Sequence, residues 1–402
     1  MGIETGTARR LDRLETQLHD CAARPPDMRI TLPPETYFDP DWFALERARV
    51  HERDWLLLGH VSELPDTNSY LCVDVLDEPL FLVRDEAGQI RVLSRVCRHR
   101  GVDMRPAQAE GRTRAFVCPY HHWSYTLSGE LRRAPLMEGS AALDPKTCRL
   151  PEFRHEIWNG FVFVTFDADT RPLSERLGHF EARLGNWRLA DMRVVRKLDW
   201  PAPWNWKLMV ENFIEGYHHL GTHARSLEPI WPANSHETES VPVGTTLLRF
   251  PNSADYLARR VHRAAGAEAE GLGAIPGLAE ADLSAALVIS VLPSLTAFLV
   301  EDRAYVFRIL PDGPEATALT TYELIHDALL QGDGAAAKLP TEFALFDTFH
   351  QEDLALLAQI PGGLKSRAAR QGALSPLEEP IWQLQRYLSD KFRDAESATG
   401  SR

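Results

Sequence analysis

The segment CRHRGVDMRPAQAEGRTRAFVCPYHHW, residues 97–123, decides how this chain is read. Cys97-x-His99 and Cys118-x2-His121 each offer a thiolate followed by an imidazole, and eighteen residues separate the two halves. Zinc modules usually pair Cys with Cys and His with His, so a structural zinc site suits this pattern poorly. Two mixed halves suit a [2Fe-2S] centre with two thiolates on one iron and two imidazoles on the other. Each half closes a short β-like run and opens into a turn, so two loops can clasp one object between them.

A second stretch, NWKLMVENFIEGYHHLGTH at 205–223, reads as a helix with Leu208, Met209, Phe213 and Tyr217 as its apolar repeat. Helical spacing puts Glu211, Glu215 and His218 on one face. His223 lies five residues beyond His218, about 500° of helical rotation, so a regular helix turns it away. Gly221 is expected to end the helix and let His223 swing back. Two imidazoles then converge beside a carboxylate in a segment too apolar for a solvated face, which begins a metal site.

Composition bounds the rest. The chain has 402 residues and a net charge of −13, long enough for two domains or for one with an insertion. The acidic balance and the lack of a basic block argue against nucleic acid and anionic membrane as partners. The first thirty residues lack the apolar core of a signal peptide, and no apolar run reaches a membrane span. Five scattered cysteines make no disulfide framework; Cys21, Cys72 and Cys148 match no ligand spacing. A soluble, cytoplasmic protein is expected.

Short β-like runs lie near 55–61, 69–75, 79–84, 90–96, 114–118 and 159–166, and others near 243–250, 285–292, 296–301, 303–310 and 316–325. Most of the later ones are joined by short turns, which predicts an antiparallel sheet. Helices are expected at 7–24, after Asp39-Pro40, at 172–186, 205–220, 341–360 and 377–391. A loop or lid is expected at 264–277 and disorder over the last ten residues.

From about Leu32 to Tyr387 the chain resembles the catalytic α subunits of the Rieske non-haem iron oxygenases, the aromatic-ring-hydroxylating dioxygenase family. Cys-Arg-His-Arg-Gly and Cys-Pro-Tyr-His-His-Trp look like that family's cluster loops. Asn-Trp-Lys followed by Glu-Asn-Phe-x-Glu-x-Tyr-His-x4-His looks like its mononuclear iron segment. The resemblance implies that Cys97 and Cys118 hold one cluster iron and His99 and His121 the other. It further implies that His218, His223 and Asp353 bind Fe(II), with Glu352 and Asp347 as weaker candidates for the carboxylate. His122 is a departure, since the family usually has Gly there.

The implied fold is α+β: a Rieske β-sandwich domain at 50–166 inserted into a catalytic domain (167–402) whose antiparallel sheet wraps around helices, with 1–49 packing on the latter. The implied function is a terminal oxygenase that hydroxylates, or N-demethylates, a small organic substrate with O2. Dihydroxylation of an aromatic ring or aromatic acid is the alternative. A non-catalytic electron-transfer or ligand-binding protein is a rival of another class. Glu215, three residues before His218, can hydrogen-bond that ligand's outer nitrogen. The resemblance makes Glu215 the bridge to a neighbouring subunit's cluster within a homotrimer. Its being Glu where many relatives have Asp leans toward quaternary or N-methyl amines. Asn212 is expected to contact substrate or order the site. Gly271 to Gly277 fails the dinucleotide fingerprint because its third Gly falls one residue late. Electrons are therefore expected from a separate NAD(P)H-dependent reductase, directly or through a ferredoxin.

Overall fold

The computed structural model describes residues 2–258, 272–332 and 335–399. They form two compact units, Asp54–Leu173 and the remainder, Met1–Arg53 with Ser174–Arg402.

The smaller unit is all β. Strands Ile90–Ser94, Glu78–Arg84, Ser69–Val75 and Glu110–Arg112 make one antiparallel sheet in that order, and two three-stranded sheets complete the unit. Its core includes Tyr70, Phe81, Val83, Leu93 and Phe116, and Phe81 stacks on Phe116 with ring centroids 3.7 Å apart. Beneath the first Cys-x-His loop lies Arg95, 1 % exposed; its guanidinium donates to Asp103 (2.8 Å) and Asp74 (2.7 Å). A buried guanidinium needs such partners, and this pair of carboxylates fixes the loop's start.

In the larger unit seven antiparallel strands follow the order Met192–Trp200, Ala316–His326, Arg303–Gly313, Leu295–Leu299, Ala285–Val291, Thr245–Pro251 and Glu237–Thr238. Alternation puts Leu248 and Phe250, Val288, Phe298, and Tyr305 and Phe307 on one face. The helix Trp206–Phe213 packs against strand Arg303–Gly313 and against the helix Ala335–Leu357. The N-terminal helix Gly2–Ala23 packs on the C-terminal helix Glu379–Thr399. Asp39 caps the helix Pro40–Arg49 through the Asp41 and Trp42 amides, an interaction of about 1 kcal/mol.

Three expectations are corrected. The helix from Asn205 stops at Phe213, with Ile214 as its cap, and Tyr217–Leu220 forms a separate 3-10 turn. Glu211, Glu215 and His218 therefore share no helical face, and Tyr217 is 46 % exposed. The C-terminal helix runs to Thr399 where disorder was expected. Strand Met192–Trp200 was unforeseen, its charged residues having masked its alternation. Of the loop at 264–277, residues 264–271 lie outside the described residues.

Candidate active site

Helix Trp206–Phe213 is anchored from beneath. Lys207 is fully buried, and its Nζ lies 2.7 Å from both carboxylate oxygens of Glu46 and 2.9 Å from the Thr36 carbonyl. Glu46 also accepts from the Trp42 and Trp206 indoles. Beyond Phe213 the chain turns sharply. Gly216 is obligatory here, because a Cβ on it would lie 2.6 Å from a Phe250 ring atom. The Glu215 carboxylate accepts from the backbone amides of Tyr217 and His218, and this short loop presents the imidazole of His218.

Three side chains converge. His218, His223 and Asp353 offer ligand atoms that all lie within 4.8 Å of one another. His223 Nε2 is 2.9 Å and His218 Nε2 3.7 Å from Asp353 Oδ1. The outer nitrogens are also occupied: His218 Nδ1 lies 2.5 Å from Glu215 Oε1, and His223 Nδ1 lies 2.8 Å from Glu352 Oε2. Glu215 and Glu352 accept from the two Nδ1 atoms; His223 Nε2 lies within hydrogen-bond distance of Asp353, and a metal ion replacing that contact would find both Nε2 lone pairs turned toward it. Burial pushes the Asp353 carboxyl up, but the His223 and His218 imidazoles and the Asn212 amide prevail and hold it below its ordinary value. For His218 burial acts downward, yet Glu215 raises it. Two imidazoles and a carboxylate with open positions opposite suit a ferrous ion.

Asp347 and Glu352 are elsewhere. Arg196 holds Asp347 through two contacts of 2.8 and 2.9 Å. Glu352 supports His223 from behind and accepts from Ser226. Sequence reading weighed Glu352 as a ligand and missed this supporting role; only its adjacency to Asp353 hinted at it. His219, also missed, donates Nδ1–H to the Trp231 carbonyl (2.9 Å) and stacks near Phe250. Burial and the neighbouring His218 lower it to about 3, so it is neutral.

The triad opens on a cavity of about 510 Å3, counting its mouth. Asn212 and Glu215 line it beside the triad, while Trp231, Phe250, Phe298, Tyr305, Phe307 and Phe349 make most of its walls. Trp231 is fixed by its indole N–H to Asn252 (2.7 Å) and meets Phe298 edge to face at 5.0 Å. Tyr256 stands outside the lining, 6.2 Å from Trp231.

In the smaller unit Cys97 and Cys118 are each 2 % exposed and their side chains meet. The His99 and His121 rings lie 4.7 Å apart, and His99 stacks on Trp123 at 4.7 Å. Tyr125 OH touches Cys97 Sγ (3.4 Å) and accepts from the Arg98 amide. Thiols inside and imidazoles at the rim fit a [2Fe-2S] cluster. His122 takes φ +57, a left-handed conformation that glycine adopts without strain, so the chain keeps the loop shape at a steric cost.

Residues 189–394 match the family model described as "Ring hydroxylating alpha subunit (catalytic domain)", and residues 54–153 match "Rieske [2Fe-2S] domain". The chain is 28 % identical to the glycine betaine monooxygenase oxygenase subunit of Chromohalobacter salexigens, covering 75 % of this chain and 72 % of that one. It is 29 % identical to the carnitine monooxygenase oxygenase subunit of Escherichia coli, over 48 % of this chain and 52 % of that one. Identity is 31 % with the biphenyl dioxygenase subunit alpha of Paraburkholderia xenovorans, over 48 % and 44 %. These two matches span about half of each relative. Among solved structures, the quaternary ammonium Rieske monooxygenase CntA in complex with L-carnitine superposes with TM-score 0.74 at 22 % identity, over 93 % of this chain and 98 % of that one. Naphthalene 1,2-dioxygenase from Rhodococcus sp. gives 0.75 at 19 %, over 95 % and 97 %. At such identities the likeness is one of fold.

Proposed function

The chain belongs to the family of ring-hydroxylating oxygenase alpha subunits, and from that premise we propose that His218, His223 and Asp353 hold its mononuclear iron beside a small N-methyl or quaternary ammonium substrate. Cys97, His99, Cys118 and His121 hold the cluster in this reading. The observation that carries it is the convergence of two imidazoles and one carboxylate at the wall of an aromatic cavity. When bound, the iron supplies O2 activation and the cluster supplies electrons one at a time.

The protein's own groups prepare that site. Glu215 and Glu352 hold the Nδ1 protons, so both imidazoles face the metal position in a single tautomer. Asn212 orients Asp353. Gly216 lets Phe250 close one wall. The aromatic walls exclude water, and ring faces attract an alkylammonium by about 0.5–2 kcal/mol each. The relatives that act on glycine betaine and carnitine support this substrate class. The same walls accept a flat ring, so aromatic dihydroxylation is the second reading, favoured by the match to a biphenyl dioxygenase.

Electrons come from a separate NAD(P)H-dependent reductase, with or without a ferredoxin, in the cytoplasm. A homotrimer, in which Glu215 of one subunit meets a cluster histidine of the next, completes the proposal. Among the described residues no helix is long and apolar enough to cross a membrane. The test is O2 consumption coupled to product analysis with glycine betaine, other N-methyl amines and biphenyl, alongside iron content. Formaldehyde or an N-linked carbinol with an amine probe supports the proposal; ring diols alone overturn the amine reading. About two irons per chain and no turnover would point to an electron carrier.

A further inference from the structure

On the helix Ala335–Leu357, Asp347, His350 and Asp353 recur at intervals of three, so His350 adjoins each carboxylate, and the two carboxylates lie about 120° apart around the axis. Asp347 at one end is 34 % exposed, and Asp353 at the other sits at the candidate metal site. Between them His350 is fully buried, and neither ring nitrogen has a hydrogen-bond partner among the described residues. Its ring packs in an aromatic box: Trp200 at 4.6 Å, Phe346 at 5.3 Å, Phe307 at 5.5 Å and Phe213 at 6.5 Å between centroids. Phe213 and Phe307 also form cavity wall, so His350 stands just behind it.

A Phe or Leu would fill such a box without two bare nitrogens, each of which loses its hydration on burial. Internal water satisfies orphaned groups of this kind. A second observation points the same way. Thr246, Ser290 and Thr296 are paired across three adjacent strands, all three are buried, and their hydroxyls lack partners among the described residues. Thr296 is paired in turn with Phe307. Unsatisfied polar atoms thus also lie on the sheet face that carries the aromatic wall, in register with Phe307, a neighbour of the His350 ring.

We propose that His350 is a proton relay, binding internal water on both ring nitrogens and passing protons from the Asp347 side of the helix to the active site. The need follows from the reaction, and the inference rests on the oxygenase reading. Hydroxylation takes a C–H bond, O2, two electrons from the reductase and two protons to an alcohol and water. Dihydroxylation takes the same two electrons and two protons. In each transfer one ring nitrogen accepts a proton from water while the other releases its own toward the cavity, and a half-turn of the ring resets the tautomer. Among the described residues no protein hydrogen bond holds the ring against that turn. Burial lowers His350 to about 4, opposed by Asp353 and Asp347, so the neutral ring is the working form.

The test uses the full-length protein carrying both metal centres, reduced with dithionite and mixed with O2 in H2O or D2O, with glycine betaine or biphenyl present or absent. Cluster reoxidation is followed by visible absorbance. Without any accepted substrate, reduction of O2 to H2O2 still takes two electrons and two protons, so the readout survives failure of the substrate reading. His350→Phe is expected to slow reoxidation by about tenfold or more and to raise the solvent isotope effect. Its iron content and cluster spectrum should match the parent, and its melting temperature should be equal or higher. Reoxidation within about twofold of the parent, with an unchanged isotope effect, overturns the relay. His350→Leu is read in the same way if the Phe variant fails to fold. Independently of either variant, a high-resolution crystal structure of the parent with no ordered water at either nitrogen also overturns it.

Discussion

His223 and Asp353 meet across 130 residues of sequence, Nε2 to Oδ1 at 2.9 Å, with both side chains almost wholly buried. Such a pair, with His218 beside it, is costly to hold in an apolar site unless its charges are matched. A divalent cation accepting all three groups provides that match. Asp353→Ala should therefore lower iron from about three to about two per chain while leaving the cluster's visible spectrum unchanged. Product formation should fall by at least ~100-fold. Undiminished turnover would reject Asp353 as a ligand.

Glu211 gives a pH signature away from the metal site. Burial raises its carboxyl from 4.5 to about 7, while the Tyr37 hydroxyl, donating at 2.7 Å, and Lys207 oppose the rise. The folded state thus holds a proton that the unfolded chain releases at about 4.5. Between those values the native state binds more protons, so stability falls as pH rises through the window. Denaturant titrations from pH 4.5 to 7.5 should show the parent losing about 1–3 kcal/mol relative to Glu211→Gln. Parallel profiles for the two proteins would contradict the assignment.

Much of this was legible in residues alone, because apolar alternation and ligand spacing are local. The runs near 69–75, 79–84 and 285–292 declare themselves as strands, and the Cys-x-His and Cys-x2-His loops need no tertiary knowledge. Where distant contacts decide, the reading failed. The helix beginning at Trp206 keeps an apolar period past Phe213, but Gly216 must pass beneath Phe250, and nothing near residue 216 announces a ring 34 residues later. In strand Met192–Trp200, Arg196 is covered and held by Glu323 and Asp347, while Arg193 pairs with Asp327 at the surface, so the partners of these charges come from far along the chain. Asp353 was separable from Asp347 and Glu352 only by resemblance. Its burial, and their engagement with Arg196 and His223, are properties of the fold.

Strain at His122 is open to direct measurement. A non-glycine residue in the left-handed region costs roughly 1 kcal/mol, and a β-branched one costs more. His122→Gly should keep or raise the melting temperature with the cluster spectrum intact, whereas His122→Val should destabilise by about 1–2 kcal/mol. A drop in stability for the Gly variant would mean that the exposed imidazole makes a stabilising contact in the assembled protein.

The proposed trimer is tested by mixing two defects. Cys118→Ala removes a thiolate from the cluster loops, and His218→Ala removes an imidazole from the triad; each variant alone should be inactive. If Glu215 joins the iron site of its own chain to the cluster of a neighbour, a ring containing both variants has some junctions at which an intact cluster faces an intact iron site. A rotationally closed ring of heterologous contacts provides such junctions by construction. Co-expression should then restore part of the activity, and a further Glu215→Ala change in the Cys118→Ala subunits, which keep the intact triad, should abolish the gain. Transfer confined to one chain predicts no rescue, since every chain lacks one centre. Mixed rings verified by mass spectrometry yet wholly inactive would count against the cross-subunit route and against Glu215 as its bridge.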